Sequence, residues 1–92
     1  MLEAPVEDYF VEKVIRLGGF SLKTDRIRGK RFLDRTAFLP GGRTVIAELK
    51  RPKGGRRAKL QIAHVEMLKA MGHEVYFLKT KEEVDAALAA EA

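Results

Sequence analysis

Cysteine is absent from the 92-residue sequence, and so is any long apolar run. Without cysteine the chain can form no disulfide framework, no thiolate zinc site and no cysteine nucleophile. Without a long apolar run or a signal-peptide pattern, we expect a cytoplasmic, intracellular protein with no membrane partner. Aromatic residues are few, 8% of the chain, and form no ladder for stacking single strands.

Length and apolar content predict one domain, residues 1–92. The apolar fraction of 46% is enough for a core. A chain this short buries a modest share of its surface, so a second copy of the chain could add stability.

Positive charge is in excess and clustered. Lys and Arg outnumber Asp and Glu by 18 − 13 = 5, and eleven of the eighteen basic residues lie in segments 23–31 and 50–59. Such clusters are typical of proteins that bind nucleic acid, although two solvated loops are the alternative. Contacts of this kind read phosphates and DNA shape, so we expect steep salt dependence. The candidates are Lys23, Arg26, Arg28, Lys30, Arg31, Arg51, Lys53, Arg56, Arg57 and Lys59.

Apolar spacing predicts an α/β fold with the order αβββαβα. The first helix begins near Pro5 and ends at Gly18 and Gly19. Strands are predicted at 20–23, 32–39, 44–50 and 74–79, and a helix at 58–71. Segments 25–31 and 51–57 have no periodicity and are predicted to be loops. Thr80 and Glu83 fit a capping box, with a last helix through 84–88.

Two carboxylates and an ammonium converge on the predicted hairpin. Asp34 precedes Glu48 by fourteen residues, and a tight turn at Pro40, Gly41 and Gly42 would bring the two strands together. Residues two apart on a strand share a face, so Glu48 and Lys50 lie opposite Val45, Ala47 and Leu49. Taken alone, Glu-x-Lys on a strand is more often an exposed charge pair.

This constellation suits hydrolysis of a phosphodiester by a divalent metal. Mg²⁺ or Mn²⁺ prefers oxygen ligands, which Asp34, Glu48 and the carbonyl of Leu49 could supply. Such a metal polarises a phosphoryl oxygen and lowers the pKa of a bound water. Lys50 could orient the attacking water or offset charge in the transition state.

The motifs match one family over residues 6–88. They are Val6-Glu7, Gly18-Gly19, Lys23, Leu33-Asp34-Arg35, Leu39-Pro40-Gly41-Gly42-Arg43, Glu48-Leu49-Lys50-Arg51-Pro52 and Gln61. In order and spacing they resemble the virus-type replication-repair nuclease (VRR-NUC) family of the PD-(D/E)XK nuclease superfamily. The resemblance implies a restriction-endonuclease-like core, a central mixed sheet flanked by helices, and metal-dependent nuclease activity on DNA. It also suggests a phage or bacterial setting.

The resemblance implies roles for individual residues. Asp34 and Glu48 match the metal ligands, and Lys50 matches the motif lysine. Glu7 matches a glutamate on the first helix that can approach the metal or a second metal ion. Gln61 matches a glutamine that faces the site. Glu7 has rivals on the same helix, which are Glu3, Asp8 and Glu12.

Three points remain open at this level. The family often has Gly-x-Pro-Asp where this chain has Arg31-Phe32-Leu33-Asp34, and the missing proline is expected to alter the local turn and not the metal chemistry. Arg35 is either a phosphate contact or a structural ion partner. His64 and His73, nine residues apart without thiols nearby, are predicted to be surface or packing residues and not a zinc pair.

Small members of the family resemble junction resolvases that act as homodimers, so we expect a homodimer that cuts branched DNA such as a Holliday junction. The alternatives are a catalytically silent DNA-binding module and a basic protein-interaction subunit of a replication or repair complex.

Overall fold

The computed structural model describes residues 4–49 and 56–89. Within these ranges the helices are α1 (Ala4–Arg16), α2 (Arg56–Ala70) and α3 (Lys81–Ala89). The strands are β1 (Phe20–Lys23), β2 (Arg26–Ile27), β3 (Lys30–Arg31), β4 (Arg35–Leu39), β5 (Arg43–Glu48) and β6 (Glu74–Phe77). None of these helices is long and apolar enough to span a membrane.

Four strands form one mixed sheet in the order β1-β4-β5-β6. β1 pairs with β4, and β4 with β5, in antiparallel fashion, whereas β5 and β6 are parallel. The parallel pair is joined through α2, as a strand–helix–strand crossover requires. The predicted α/β fold, a mixed sheet flanked by helices, is confirmed.

The helices divide between the two faces of the sheet. α1 and α3 pack on one face, which holds the larger core, including Phe10, Val45 and Val84, all fully buried. α2 packs on the other face over a smaller core that includes Ile46 and Val65. Alternation along β5 therefore sends Val45 and Ala47 to the first face, and Ile46 and Glu48 to the second.

Glycines end α1 and α2 as predicted. Gly18 and Gly72 both have φ of 93°, a left-handed conformation that residues other than glycine adopt with strain. The next amide reaches back to close each helix, from Gly19 to the carbonyl of Val14 and from His73 to that of Leu68. Gly19 is further required because an added Cβ would lie 2.2 Å from the carbonyl oxygen of Phe38.

The prediction of an irregular loop over 25–31 is wrong. β2 and β3 form a two-stranded antiparallel hairpin, which Phe32 closes by donating its N–H to the carbonyl of Asp25 at 3.0 Å. Its turn residues, Arg28 and Gly29, have φ of 53° and 77°, as a type I′ turn requires. Two-residue strands are too short to show an alternating pattern, so periodicity could not reveal them.

The second central strand begins at Arg35, three residues later than predicted. The N–H of Asp34 donates to the side chain of Glu48 on the neighbouring strand, at 3.2 Å, in place of a backbone carbonyl. A polar side chain from the next strand thus takes the place of a ladder partner, which no local pattern could indicate.

Helix α3 begins with a modified capping box. Thr80 Oγ1 accepts from the N–H of Glu83 at 3.0 Å, as predicted. The carboxylate of Glu83, however, accepts from the N–H of Lys79 at 2.7 Å and not from that of Thr80. The helix starts at Lys81, directly after the predicted N-cap Thr80, and extends through the predicted positions 84–88.

Polar contacts hold α3 against the sheet and against α1. Arg43 donates to both carboxylate oxygens of Glu74, at 2.8 and 2.9 Å, and to the carbonyls of Ala87 and Leu88. The Arg43 guanidinium lowers the pKa of Glu74, whose carboxylate raises that of Arg43. In the middle of α3, the hydrogen bond from Tyr9 lowers the pKa of Asp85.

Candidate active site

Asp34 and Glu48 lie together at one end of the central strand pair. Asp34 directly precedes β4, and Glu48 is the last residue of the neighbouring strand β5. Both side chains are buried, with exposed fractions of 4% and 2%. Burying a carboxylate is costly unless donors surround it, so this placement indicates a dedicated arrangement of donors.

The two carboxylates are held by each other's backbone. Asp34 donates its N–H to Glu48 Oε1 at 3.2 Å, and Leu49, which follows Glu48, donates its N–H to Asp34 Oδ2 at 2.7 Å. We call this reciprocal arrangement the carboxylate clasp. Its two bonds join residues fourteen and fifteen apart in the sequence and orient both side chains at once. Leu49 is itself buried in the core that α1 and α3 cover, which anchors the second donor.

Gln61 completes the polar shell of Glu48. It lies in the second turn of α2, and its Nε2 donates to Glu48 Oε2 at 2.8 Å. Since Ile46 and Glu48 point to the face that α2 covers, this contact follows from the pleat of β5. The structure thus places Gln61 against the side chain that the sequence singled out.

Glu7 is buried on α1 and paired with Arg35. Arg35 Nε lies 2.9 Å from Glu7 Oε2, and Arg35 also donates to the hydroxyl of Ser21 at 3.4 Å. Of the two roles considered for Arg35, the structural ion partner has this geometric support, and a phosphate contact stays a prediction. Asp8 and Glu12 are exposed, and Glu3 is outside the described residues.

The donor set fits a hard divalent cation. Within residues 4–49 and 56–89, no three His, Cys, Asp or Glu side chains come close enough to hold a metal together. A metal would therefore rest on the pair Asp34 and Glu48, with a backbone carbonyl and waters. Mg²⁺ commonly binds through one or two carboxylates and keeps several waters, so a two-carboxylate oxygen site suits it. A ligand role for Glu7 and for the carbonyl of Leu49 stays a prediction.

The first basic cluster lies on β1 and on the hairpin that precedes Asp34. Its five side chains, all exposed, are those of Lys23, Arg26, Arg28, Lys30 and Arg31. Lys59 is exposed in the first turn of α2. Lys50, Arg51 and Lys53 are outside the described residues, and of Arg56 and Arg57 only the helical backbone is described.

Thr24 has a positioning role that the sequence did not indicate. Its N–H donates to the carbonyl of Asp34 at 2.9 Å, and its hydroxyl donates to the carbonyl of Leu33 at 2.9 Å. These two bonds hold the chain on either side of Asp34 against the end of β1. A lone threonine after a short strand carries no sequence signal for this, because its partners come from a distant segment.

Comparison with known proteins supports the fold. No family model matches the sequence, and no curated protein matches it. A solved structure described as a VRR_NUC domain matches with a TM-score of 0.85 and 22% identity, covering 100% of this chain and 99% of that one. The chain therefore has the fold of a VRR_NUC domain.

Proposed function

We propose that this protein is a Mg²⁺- or Mn²⁺-dependent DNA endonuclease. The observation that carries the proposal is the carboxylate clasp, in which Asp34 and Glu48 are buried together and oriented by reciprocal backbone donors. Such preorganisation is typical of a site that must hold charged groups in fixed geometry. The VRR_NUC fold supports a nuclease over other uses of the same donors.

Asp34 and Glu48 would hold the metal, which supplies charge stabilisation at the phosphoryl group and activates a water. The N–H groups of Asp34 and Leu49 and the side-chain amide of Gln61 donate to the two carboxylates, so the carboxylate oxygens keep a set direction. Lys50, two residues beyond Glu48, is proposed to orient the attacking water or to offset developing charge. Glu7 is proposed as a further ligand once it parts from Arg35.

DNA would approach along the basic hairpin. Its exposed cations lie just before Asp34 in the chain, so phosphates bound there are near the carboxylate clasp. Contacts of this type position a backbone without reading bases, which favours recognition of DNA shape. We expect log affinity to fall linearly with log salt concentration, with one unit of slope for roughly each phosphate neutralised. A flat dependence would count against this mode of binding.

A homodimer acting on branched DNA is the finer proposal. β1 is an edge strand that exposes Phe20 and Leu22, and the neighbouring β4 exposes Phe38, with exposed fractions of 56%, 52% and 38%. An exposed apolar edge is a site for association, and two-fold symmetry would offer two active sites to the two strands of a junction. Sedimentation analysis should give a dimer that Phe20→Lys weakens. A wild-type monomer that still makes paired, symmetric nicks would contradict it.

Cleavage of a labelled four-way junction and of a matching linear duplex tests the function. Each is incubated with Mg²⁺, Mn²⁺ or EDTA, using wild type and Asp34→Ala. We expect metal-dependent cuts, symmetric in the junction, that disappear in the variant. Equal cleavage of both substrates would keep the nuclease and remove the junction preference. DNA binding with no cleavage under either metal would favour a catalytically silent module. Binding no tighter than that of an equally charged control protein would favour a protein-interaction subunit.

A further inference from the structure

A pocket lies between the β2–β3 hairpin and helix α2. It has a volume of about 370 Å³ and is lined by Arg28, Lys30, Arg31, Phe32 and His64. We call it the hairpin pocket. Its volume is at the lower end of the range for small-molecule sites, so it has room for one nucleotide but not for a duplex.

The hairpin pocket adjoins the carboxylate clasp. Phe32 precedes Asp34 by two residues, roughly 7 Å of extended chain. His64 follows Gln61 by three residues on α2, about 4.5 Å along the helix and on the same side of it. Since Gln61 donates to Glu48, the two ring-bearing residues of the pocket each lie within three residues of a group in the proposed metal site.

One wall of the pocket offers ring surfaces and a polar atom. The rings of Phe32 and His64 have centroids 5.7 Å apart and planes inclined by 50°. His64 Nδ1 is buried and finds no hydrogen-bond partner within the part of the chain that the structure describes. A buried polar atom without a partner is costly, and a bound group that reached His64 Nδ1 would remove that cost.

The other wall offers cations on a fixed turn. Arg28 and Gly29 form the tight turn of the hairpin, and Lys30 and Arg31 follow on β3. Cations bind phosphates, whereas aromatic faces bind bases that have left the helical stack. A pocket for phosphate alone would have no use for the rings. The combination fits a complete nucleotide whose base is unstacked.

We propose that the hairpin pocket binds one unpaired nucleotide of the DNA strand that enters the active site. This inference rests on the proposed nuclease function and names the substrate feature that the site selects. Paired bases must first be unstacked at a cost of free energy, which is lowest where a base is already unpaired. DNA with an unpaired nucleotide beside the cut should therefore bind in preference to continuous duplex.

Fluorescence anisotropy in EDTA measures binding without cleavage. Three labelled DNAs are compared: a continuous duplex, the same duplex with one unpaired thymidine, and that DNA with an abasic residue in place of the thymidine. The abasic DNA keeps the phosphate and the distortion but lacks the base. We expect the unpaired thymidine to bind about 5- to 20-fold more tightly than the abasic residue, within the range for stacking one base on an aromatic side chain.

His64→Ala and Phe32→Leu test the pocket walls. The second substitution keeps apolar bulk for the contacts of Phe32 with the core that α2 covers. Both variants should lose the preference for the base while binding continuous duplex as wild type does. His73→Ala is the matched control, since His73 is exposed just after α2. Thermal denaturation checks that the variants fold. If Phe32→Leu is unfolded, the binding preference of His64→Ala alone tests the pocket.

Two outcomes separate this inference from the proposed function. Wild-type protein that cleaves DNA with metal but binds the thymidine and abasic DNAs equally would overturn the nucleotide pocket and leave the nuclease. Protein that prefers the thymidine, loses that preference with His64→Ala, and never cleaves would keep the pocket and overturn the nuclease. A preference that His64→Ala and His73→Ala reduce equally would also overturn the pocket.

Discussion

The two faces of the sheet differ in how completely they are covered. α1 and α3 cover one face with a core of fully buried side chains, among them Phe10 and Val14. Among the described elements α2 covers the other. Several apolar side chains of this helix and of the turn after it are about half exposed: Leu60, Ile62 and Met67 in α2, and Met71 directly after it. The uncovered part of that face carries the exposed Phe20 and Phe38, whose rings lie 5.4 Å apart.

The difference separates stability from chemistry. The α1/α3 face is apolar, and its polar contacts are tight pairs such as Arg43 with Glu74 at the rim. The α2 face carries the polar side chains of Glu48 and Gln61, and it also carries the hairpin pocket. Burying such polar groups in a closed apolar core would cost free energy. Apart from Glu7, which is proposed as a metal ligand, substitutions on the first face should therefore change the free energy of unfolding, and those on the second should change activity.

The largest effect is expected from Phe10→Ala on the α1/α3 face. Phe10 is fully buried, so its removal leaves a cavity and should lower the free energy of unfolding by about 3–5 kcal/mol. Chemical denaturation measures this. Ile15→Ala is the matched control on the same helix, because Ile15 is 59% exposed and should cost under about 1 kcal/mol. Similar losses from both would contradict the assignment of the main core.

Glu48→Gln should affect activity far more than stability. Glutamine keeps an oxygen that can accept from Asp34, but it loses the charge proposed to hold the metal. Metal-dependent cleavage should fall by roughly 100- to 1000-fold, as when one preorganised group is removed from an active site. Glu66→Gln, an exposed position on α2, is the control and should retain wild-type rates. Full activity of Glu48→Gln would contradict the proposed role of Glu48 as a metal ligand.

Gln61→Leu should have a smaller effect on the same reaction. It removes the donor to Glu48 Oε2 while keeping a side chain of similar size. Loss of a group that orients a metal ligand typically costs 10- to 100-fold in activity or metal affinity. The signature is a higher metal concentration for half-maximal cleavage, with a melting temperature near that of wild type. An unchanged metal requirement would mean that Gln61 does not orient the ligand.

The smallest effect is expected from the ion pair of Arg43 and Glu74, whose contribution to stability should depend on pH. Arg43 holds the pKa of Glu74 below its ordinary value of 4.5. A carboxyl group whose pKa is lower in the folded state stabilises that state above its unfolded pKa, and the contribution is lost as pH falls through the folded pKa. Glu74→Gln should thus lower stability by about 1 kcal/mol or less near pH 7.

Thermal melts at several pH values test this sign. The difference between wild type and Glu74→Gln should be present at neutral pH and vanish in acid, below the lowered pKa of Glu74. Glu12→Gln, at an exposed position on α1, is the control for replacing a glutamate by glutamine. A stability difference between wild type and Glu74→Gln that grows as the pH falls would mean that folding raises the pKa of Glu74 and does not lower it.

Prediction from sequence succeeded where a local signal was strong. It failed where distant segments met and where strands were too short to show a pattern. Helix ends at Gly18 and Gly72 were predictable, because a left-handed residue after a helix favours glycine whatever surrounds it. The start of β4 was not predictable, since Asp34 leaves the ladder only when Glu48 is beside it. The β2–β3 hairpin was missed because its strands have two residues each.

Residue order alone determined the sequence of the main elements, the face on which Glu48 lies and the clustering of cations before Asp34. These follow from alternation, helical spacing and charge, which are properties of neighbours in the chain. Only the tertiary structure decided that Asp34 and Glu48 clasp each other, that Glu7 pairs with Arg35, and that Phe32 meets His64. Each of these contacts joins segments far apart in sequence, and packing of helices on the sheet sets their distances.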